Sequence, residues 1–234
     1  MSDIPNETDN PNQDPNQSDE PYEILPEGEV HYDMNFKVVV IGDCSVGKSC
    51  LSAKATKNQF ETDYSATLGF EYFTFNVKIK DKIVRLQIWD TCGQELYRSL
   101  ITNFYHNTSL AILVYEIDKK TSFDNIQSWL NELRTNSSPD IKLFLIGNKL
   151  DLEPQRTVST EEGRVFAKNC GFNLFMESSA KTGFNAQNIF VEAAKILYKE
   201  YIRYNKANSN EANSAAKLKS KIITHNSNEK KCEC

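Results

Sequence analysis

The chain is expected to fold as an α/β protein: a six-stranded, mainly parallel sheet with one antiparallel strand, in three layers with helices on both sides. Two observations predict this. Short runs rich in Val, Ile and Phe alternate with stretches of helical spacing, the pattern of a sheet sandwiched between helices. The polar motifs also fall just after predicted strands, in the crevice where ligands of such folds gather.

Each element can be justified in order. The apolar run Phe36 to Ile41 reads as a buried strand, and Cys50 to Asn58 suits a short helix. A polar loop, Gln59 to Gly69, precedes two strands, Phe70 to Lys80 and Ile83 to Asp90, which the tight Lys80-Asp81-Lys82 turn joins as a hairpin. Leu110 to Glu116 and Ile141 to Gly147 are continuous apolar strands. Between them, Ser122 to Arg134 has helical spacing, with Phe123, Ile126, Leu130 and Leu133 on one face. A helix over Thr160 to Asn169 leads to the strand Leu174 to Met176. The last helix starts near Asn185 and buries Phe190, Ala194, Leu197 and Tyr201.

With 234 residues there is room for one well-buried domain and tails. Residues 1–34 carry ten acids and no Lys or Arg, so the chain's net −5 leaves +5 for residues 35–234. With five prolines and many Asn and Gln, this extension is expected to be disordered. It has neither a basic n-region nor an apolar h-region, so no signal peptide is expected, and no run is long enough to span a bilayer. The boundaries are therefore 1–34 acidic extension, 35–203 globular domain and 204–234 flexible basic tail. Six cysteines show no zinc spacing, and two of them end the chain as Cys232-Glu233-Cys234. No nucleic-acid partner is expected.

Chemistry concentrates at strand ends. Gly42 and Gly47 let the segment Asp43, Cys44, Ser45, Val46, Gly47, Lys48, Ser49, Cys50 curl with its N–H groups inward, where the next helix adds the positive end of its dipole. Lys48 can reach β- and γ-phosphates, and the Ser49 hydroxyl is placed for Mg²⁺. This is the loop of a P-loop NTPase; by itself it does not choose ATP or GTP. After the second hairpin strand come Asp90, which can hold Mg²⁺ through a water, Gly93, whose amide can meet the γ-phosphate, and Gln94, placed to orient an attacking water. Asn148-Lys149-Leu150-Asp151 follows the next parallel strand. The Asp151 carboxylate can accept from both the ring N–H and the exocyclic amine of guanine, a donor pair adenine lacks. Ser179-Ala180-Lys181 follows the last strand, where the Ala180 N–H can donate to guanine O6.

These motifs, in this order, resemble the small GTPases of the Ras superfamily and specifically the Rab family, over about residues 35–203. The resemblance implies GTP/GDP and Mg²⁺ as cofactors, slow hydrolysis of GTP, and a switch in vesicular trafficking. It makes Thr67, in Tyr64-Ser65-Ala66-Thr67, the switch I threonine that reaches Mg²⁺ only with GTP bound, and puts Tyr64 beside the nucleotide. Phe60 would pack edge-on against the base, and Lys149 and Lys181 would cover its two faces. Tyr72, Trp89 and Phe104 match the three aromatics presented to effectors. The terminal Cys232 and Cys234 match the ending that receives two geranylgeranyl groups.

The implied partners are an exchange factor, a GTPase-activating protein, a GDP-dissociation inhibitor, a Rab escort protein with its prenyltransferase, and effectors. The implied place is the cytoplasmic face of an endomembrane, reached through the lipid anchor. The segments Gln155 to Ser159 and Glu161 to Gly163 resemble the Golgi-associated Rabs. Two residues depart from the family pattern: Cys92 stands where Ala is usual and Leu96 where Arg is usual. Cys92 and Cys44 leave open a module that holds GTP and barely hydrolyses it, while Leu96 lies where activating or exchange proteins are recognised. A P-loop kinase or ATPase is the third reading, which Asp151 disfavours.

Overall fold

A computed structural model describes residues 21–26, 28, 30–60, 69–91 and 104–226, with side chains through residue 207. The sheet is built around β2 (Met34–Ile41), whose last four residues are wholly buried because it has neighbours on both sides. β4 (Lys82–Thr91) and β5 (Leu110–Glu116) flank it, both parallel. β3 (Phe70–Ile79) runs antiparallel to β4 through the hairpin, and β6 (Lys142–Asn148) and β7 (Leu174–Glu177) extend the parallel side. The order is β1-β3-β4-β2-β5-β6-β7. Strand order reverses at β2, so a crevice opens beyond its carboxyl end.

Alternate residues of β2 feed two cores, as the two-residue period of a strand requires. Val38 and Val40 join Leu51, Phe190, Ala194 and Leu197, from α1 (Lys48–Lys57) and α5 (Ala186–Asn226). Val39 and Ile41 join Phe123, Trp129, Leu130 and Leu133. These come from α2 (Lys120–Asp124) and α3 (Ile126–Asn136). α4 (Thr160–Asn169) closes that side, its start capped by Ser159, whose hydroxyl accepts from the Glu162 amide.

Three sequence expectations are corrected. The sheet has seven strands, because β1 (Tyr22–Leu25), inside the stretch expected to be disordered, pairs antiparallel with β3 from Tyr22↔Ile79 to Leu25↔Asn76. The surrounding acids hid a short apolar alternation, and long-range contacts hold it. The Lys195 ammonium lies 4.7 Å from the Tyr22 ring centre, and Arg85 Nη2 donates to the carbonyls of Gly28 (3.3 Å) and Val30 (3.0 Å). The single helix expected over Ser122 to Arg134 is two, meeting at Asn125. Finally, α5 continues through Asn226, past the boundary set at 203: this stretch contains neither Gly nor Pro, the strongest helix breakers.

Candidate functional site

The carboxyl ends of β2, β4, β5 and β6 bring the predicted motifs to one rim. The chain leaves β2 through Gly42 (φ +142°) and enters α1 through Gly47 (φ +92°). Both positions are also sterically closed to a side chain. A Cβ on Gly42 would lie 2.2 Å from the Val114 carbonyl oxygen, and one on Gly47 2.5 Å from Asn148 Nδ2. No side chain caps α1 and no acid sits in its first turn, so its dipole opens onto the loop uncompensated. Inside the loop Lys48 is 5% exposed, and its Nζ donates to the carbonyls of Gly42 (2.9 Å) and Asp43 (2.7 Å). A buried ammonium held at the loop's centre is a site for an anion.

The metal end of the site lies on β4. Asp90 is wholly buried; one carboxylate oxygen accepts from the Ser49 hydroxyl, and the other, Oδ1, has no hydrogen-bond partner among the described residues. Burial pushes the Asp90 carboxyl up to about 7, outweighing the Lys48 charge and the Ser49 bond that pull it down. An under-satisfied acid beside a serine hydroxyl, both oxygen donors, fits a hard divalent cation such as Mg²⁺.

The base end is held together by Asn148, which is 1% exposed. Its Nδ2 donates to the Val46 carbonyl (2.9 Å), and its Oδ1 accepts from Ser178 Oγ (3.2 Å) and the Ala180 amide (3.3 Å). Asn148 thus ties the phosphate loop to the loop after β7. Asp151 Oδ1 accepts from Ser179 Oγ at 2.6 Å, which orients the carboxylate, and Lys181 Nζ stands 3.8 Å from Oδ2. Lys149, in left-handed backbone, is ion-paired with Glu116, the buried last residue of β5. Phe60, expected to pack on a base, is exposed.

One predicted site residue points elsewhere. The Asp43 side chain faces α3, where Asn125 Nδ2 and Trp129 Nε1 donate to its two oxygens, so only its main chain serves the loop. Cys44 is exposed and Cys50 half-buried, and neither is in a disulfide among the described residues. Tyr64 and Thr67, Gly93 and Gln94, Cys92 and Leu96, and Cys232 and Cys234 lie outside the described residues. Sequence reasoning missed Glu116, Asn125 and Trp129. For Glu116 there was a signal, an acid closing a wholly apolar strand at the ligand end of the sheet; Asn125 and Trp129 carried none beyond helical spacing.

Tyr72, Trp89 and Phe104 do converge. Trp89 lies 5.3 Å from both partners, ring centre to ring centre, and Phe70 joins at 5.2 Å from Trp89 and 4.9 Å from Phe104. The Lys37 ammonium sits 5.5 Å from the Trp89 ring and 5.9 Å from that of Phe104; its burial lowers the Lys37 pKa. Tyr72 and Phe70 remain exposed, so the cluster forms an apolar patch on the hairpin.

The pattern of the Ras family matches residues 37–199 of this chain. Among curated proteins, the Ras-related protein Rab11B of Nicotiana tabacum is 41% identical over 172 residues, 74% of this chain and 79% of its own length. The Ras-related proteins RABA1f and RABA1i of Arabidopsis thaliana are 42% and 43% identical over 168 residues, 72% of this chain and 77% of theirs. The chain belongs to the Rab group of the Ras family. This Rab is therefore a guanine-nucleotide-binding GTP hydrolase, and the matched span runs from β2 to α5, the elements that carry the loop, Asp90, Asn148 and Asp151.

Proposed function

We propose that this Rab binds GTP with Mg²⁺, hydrolyses it slowly, and uses the nucleotide state to recruit effectors in vesicular membrane trafficking, on a Golgi or vesicle surface. The observation that carries the reading is the joining of two half-sites. Lys48, Ser49 and Asp90 form a phosphate and metal end; Asp151, Ser179 and Ala180 form a base end; Asn148 bonds to both loops.

Lys48 offsets the charge of bound phosphates, and Ser49 and Thr67 would supply oxygens to the metal, which Asp90 would hold through a water. Mg²⁺, when bound, neutralises charge on the phosphate oxygens. The Asp151 carboxylate, held by Ser179, accepts from the guanine edge while the stems of Lys149 and Lys181 border its faces. Gln94 orients the attacking water, and a GTPase-activating protein supplies the arginine that such sites lack, worth roughly 10³–10⁵ in rate. The presence of Gln94 and Asp90 favours turnover over a holder that does not hydrolyse.

Tyr72, Trp89 and Phe104 form the effector surface, with Tyr72 and the neighbouring Phe70 exposed on it. Among the described residues no helix is long and apolar enough to cross a membrane. Attachment is assigned to prenylated Cys232 and Cys234, with an escort protein and prenyltransferase to load them, a GDP-dissociation inhibitor to extract the protein and an exchange factor to reload it.

The test is nucleotide choice. The purified full chain should retain GDP or GTP in magnesium buffer. Asp151→Asn should weaken GTP binding by about 10² or more and admit xanthosine triphosphate, whose ring carbonyl suits an amide donor. Unchanged purine preference in that variant would overturn the reading.

A further inference from the structure

Asp43 is an acid inside a loop built for an anion. A loose carboxylate there would oppose a triphosphate by like-charge repulsion. Both of its oxygens are instead taken from the far side: Trp129 Nε1 donates to Oδ1 at 2.8 Å and Asn125 Nδ2 to Oδ2 at 2.7 Å. The donors stand on rigid ground, for Trp129 is 1% exposed and its neighbours Ile126 and Leu130 are wholly buried. On its main-chain side the same residue presents its carbonyl to Lys48 Nζ at 2.7 Å. A single residue therefore connects α3 to the phosphate-binding lysine.

We propose that Asn125 and Trp129 are positioning residues of the nucleotide site: they hold the Asp43 carboxylate against α3, away from the phosphates, and through it set the curve of the loop. The inference rests on nucleotide binding at this loop, as proposed above. Without the two donors, rotation about χ1 brings a negative charge toward the bound anion. Charge separates this role from simple packing. Damage from lost packing persists whatever stands at position 43, whereas repulsion disappears once that position is neutral.

The experiment uses the full chain loaded with N-methylanthraniloyl GTP or GDP, with release followed by fluorescence in magnesium buffer. The Trp129→Phe/Asn125→Ala double variant should release GTP about tenfold faster or more, because hydrogen bonds to a charged group are the stronger kind. GDP, with one charge fewer, should be affected less, and added salt should narrow the gap. Adding Asp43→Asn to the double variant should bring release back to within about threefold of the wild-type rate. Wild-type release from the double variant, or an acceleration that Asp43→Asn leaves in place, overturns the proposal. Should the double variant not fold, Asn125→Ala alone, which keeps buried Trp129, meets the same two outcomes. A wild-type chain that holds no guanine nucleotide strikes the proposed function instead, and is seen before any variant is made.

Discussion

Gly47 shows how one residue serves backbone and site together. Its left-handed φ of +92° disfavours any side chain, and Asn148 fills the space where a Cβ would go. Gly47→Ala should therefore cost about 2–4 kcal/mol in urea unfolding, strain plus a displaced Asn148, and abolish retention of nucleotide. Gly171 is the matched control: it too is left-handed, at φ +73°, but has nothing within 4 Å of a built Cβ. Gly171→Ala should show only the strain, about 1–2 kcal/mol, and keep nucleotide. Equal losses at both positions would mean that the Asn148 contact does not matter. Asn148 itself makes three buried bonds, so its truncation should unfasten both loops rather than remove one contact to the base.

At the scale of elements, β1 closes part of the outer edge of β3, and open edges invite pairing with other chains. Removing residues 1–25 should lower the unfolding free energy by roughly 1–3 kcal/mol and raise light scattering on storage. A truncated chain as stable and as monodisperse as the full one would show that β1 adds nothing. The segment is also fastened at Asp33, whose carboxylate accepts from the Ile83 amide and from Lys82 Nζ, each at 2.8 Å. These bonds, the Ile83 amide first, hold the Asp33 carboxyl below the ordinary range. A depressed acid contributes stability above its unfolded pKa and loses it as pH falls through the folded value. Thermal midpoints of wild type and Asp33→Asn should therefore differ at neutral pH and converge as pH falls through the depressed folded value. A constant difference across that range would remove the ionised carboxylate from the explanation. At the junction of α2 and α3 the Asn125 side-chain amide likewise turns outward, to Asp43.

For the molecule as a whole, α5 continues as helix through Asn226. Ending the chain at Tyr204 should reduce the far-ultraviolet helical signal by that of residues 205–226, yet leave the thermal midpoint and nucleotide retention unchanged. A fall in midpoint would mean that the tail packs on the domain. The proposed lipid anchor is tested by membrane fractionation in cells: Cys232→Ser/Cys234→Ser should be soluble, and either single variant only partly membrane-bound, because one lipid chain gives marginal, reversible attachment.

The sequence by itself determined the succession of elements from β2 onward and the phosphate loop, because each is written in a few consecutive residues with a local conformational demand. Leu110–Glu116, read from its continuous apolar run, and Thr160–Asn169 stand where the sequence places them. Tertiary structure decided what those residues face. Asn125 and Trp129 meet Asp43 across 82 and 86 positions, and Asn148 meets Val46 across 102. No local pattern records such meetings, since they follow from which strands lie side by side. The same holds for β1, too short to stand alone and held because β3 and Lys195 receive it, while Arg85 binds the chain just beyond it at Gly28 and Val30.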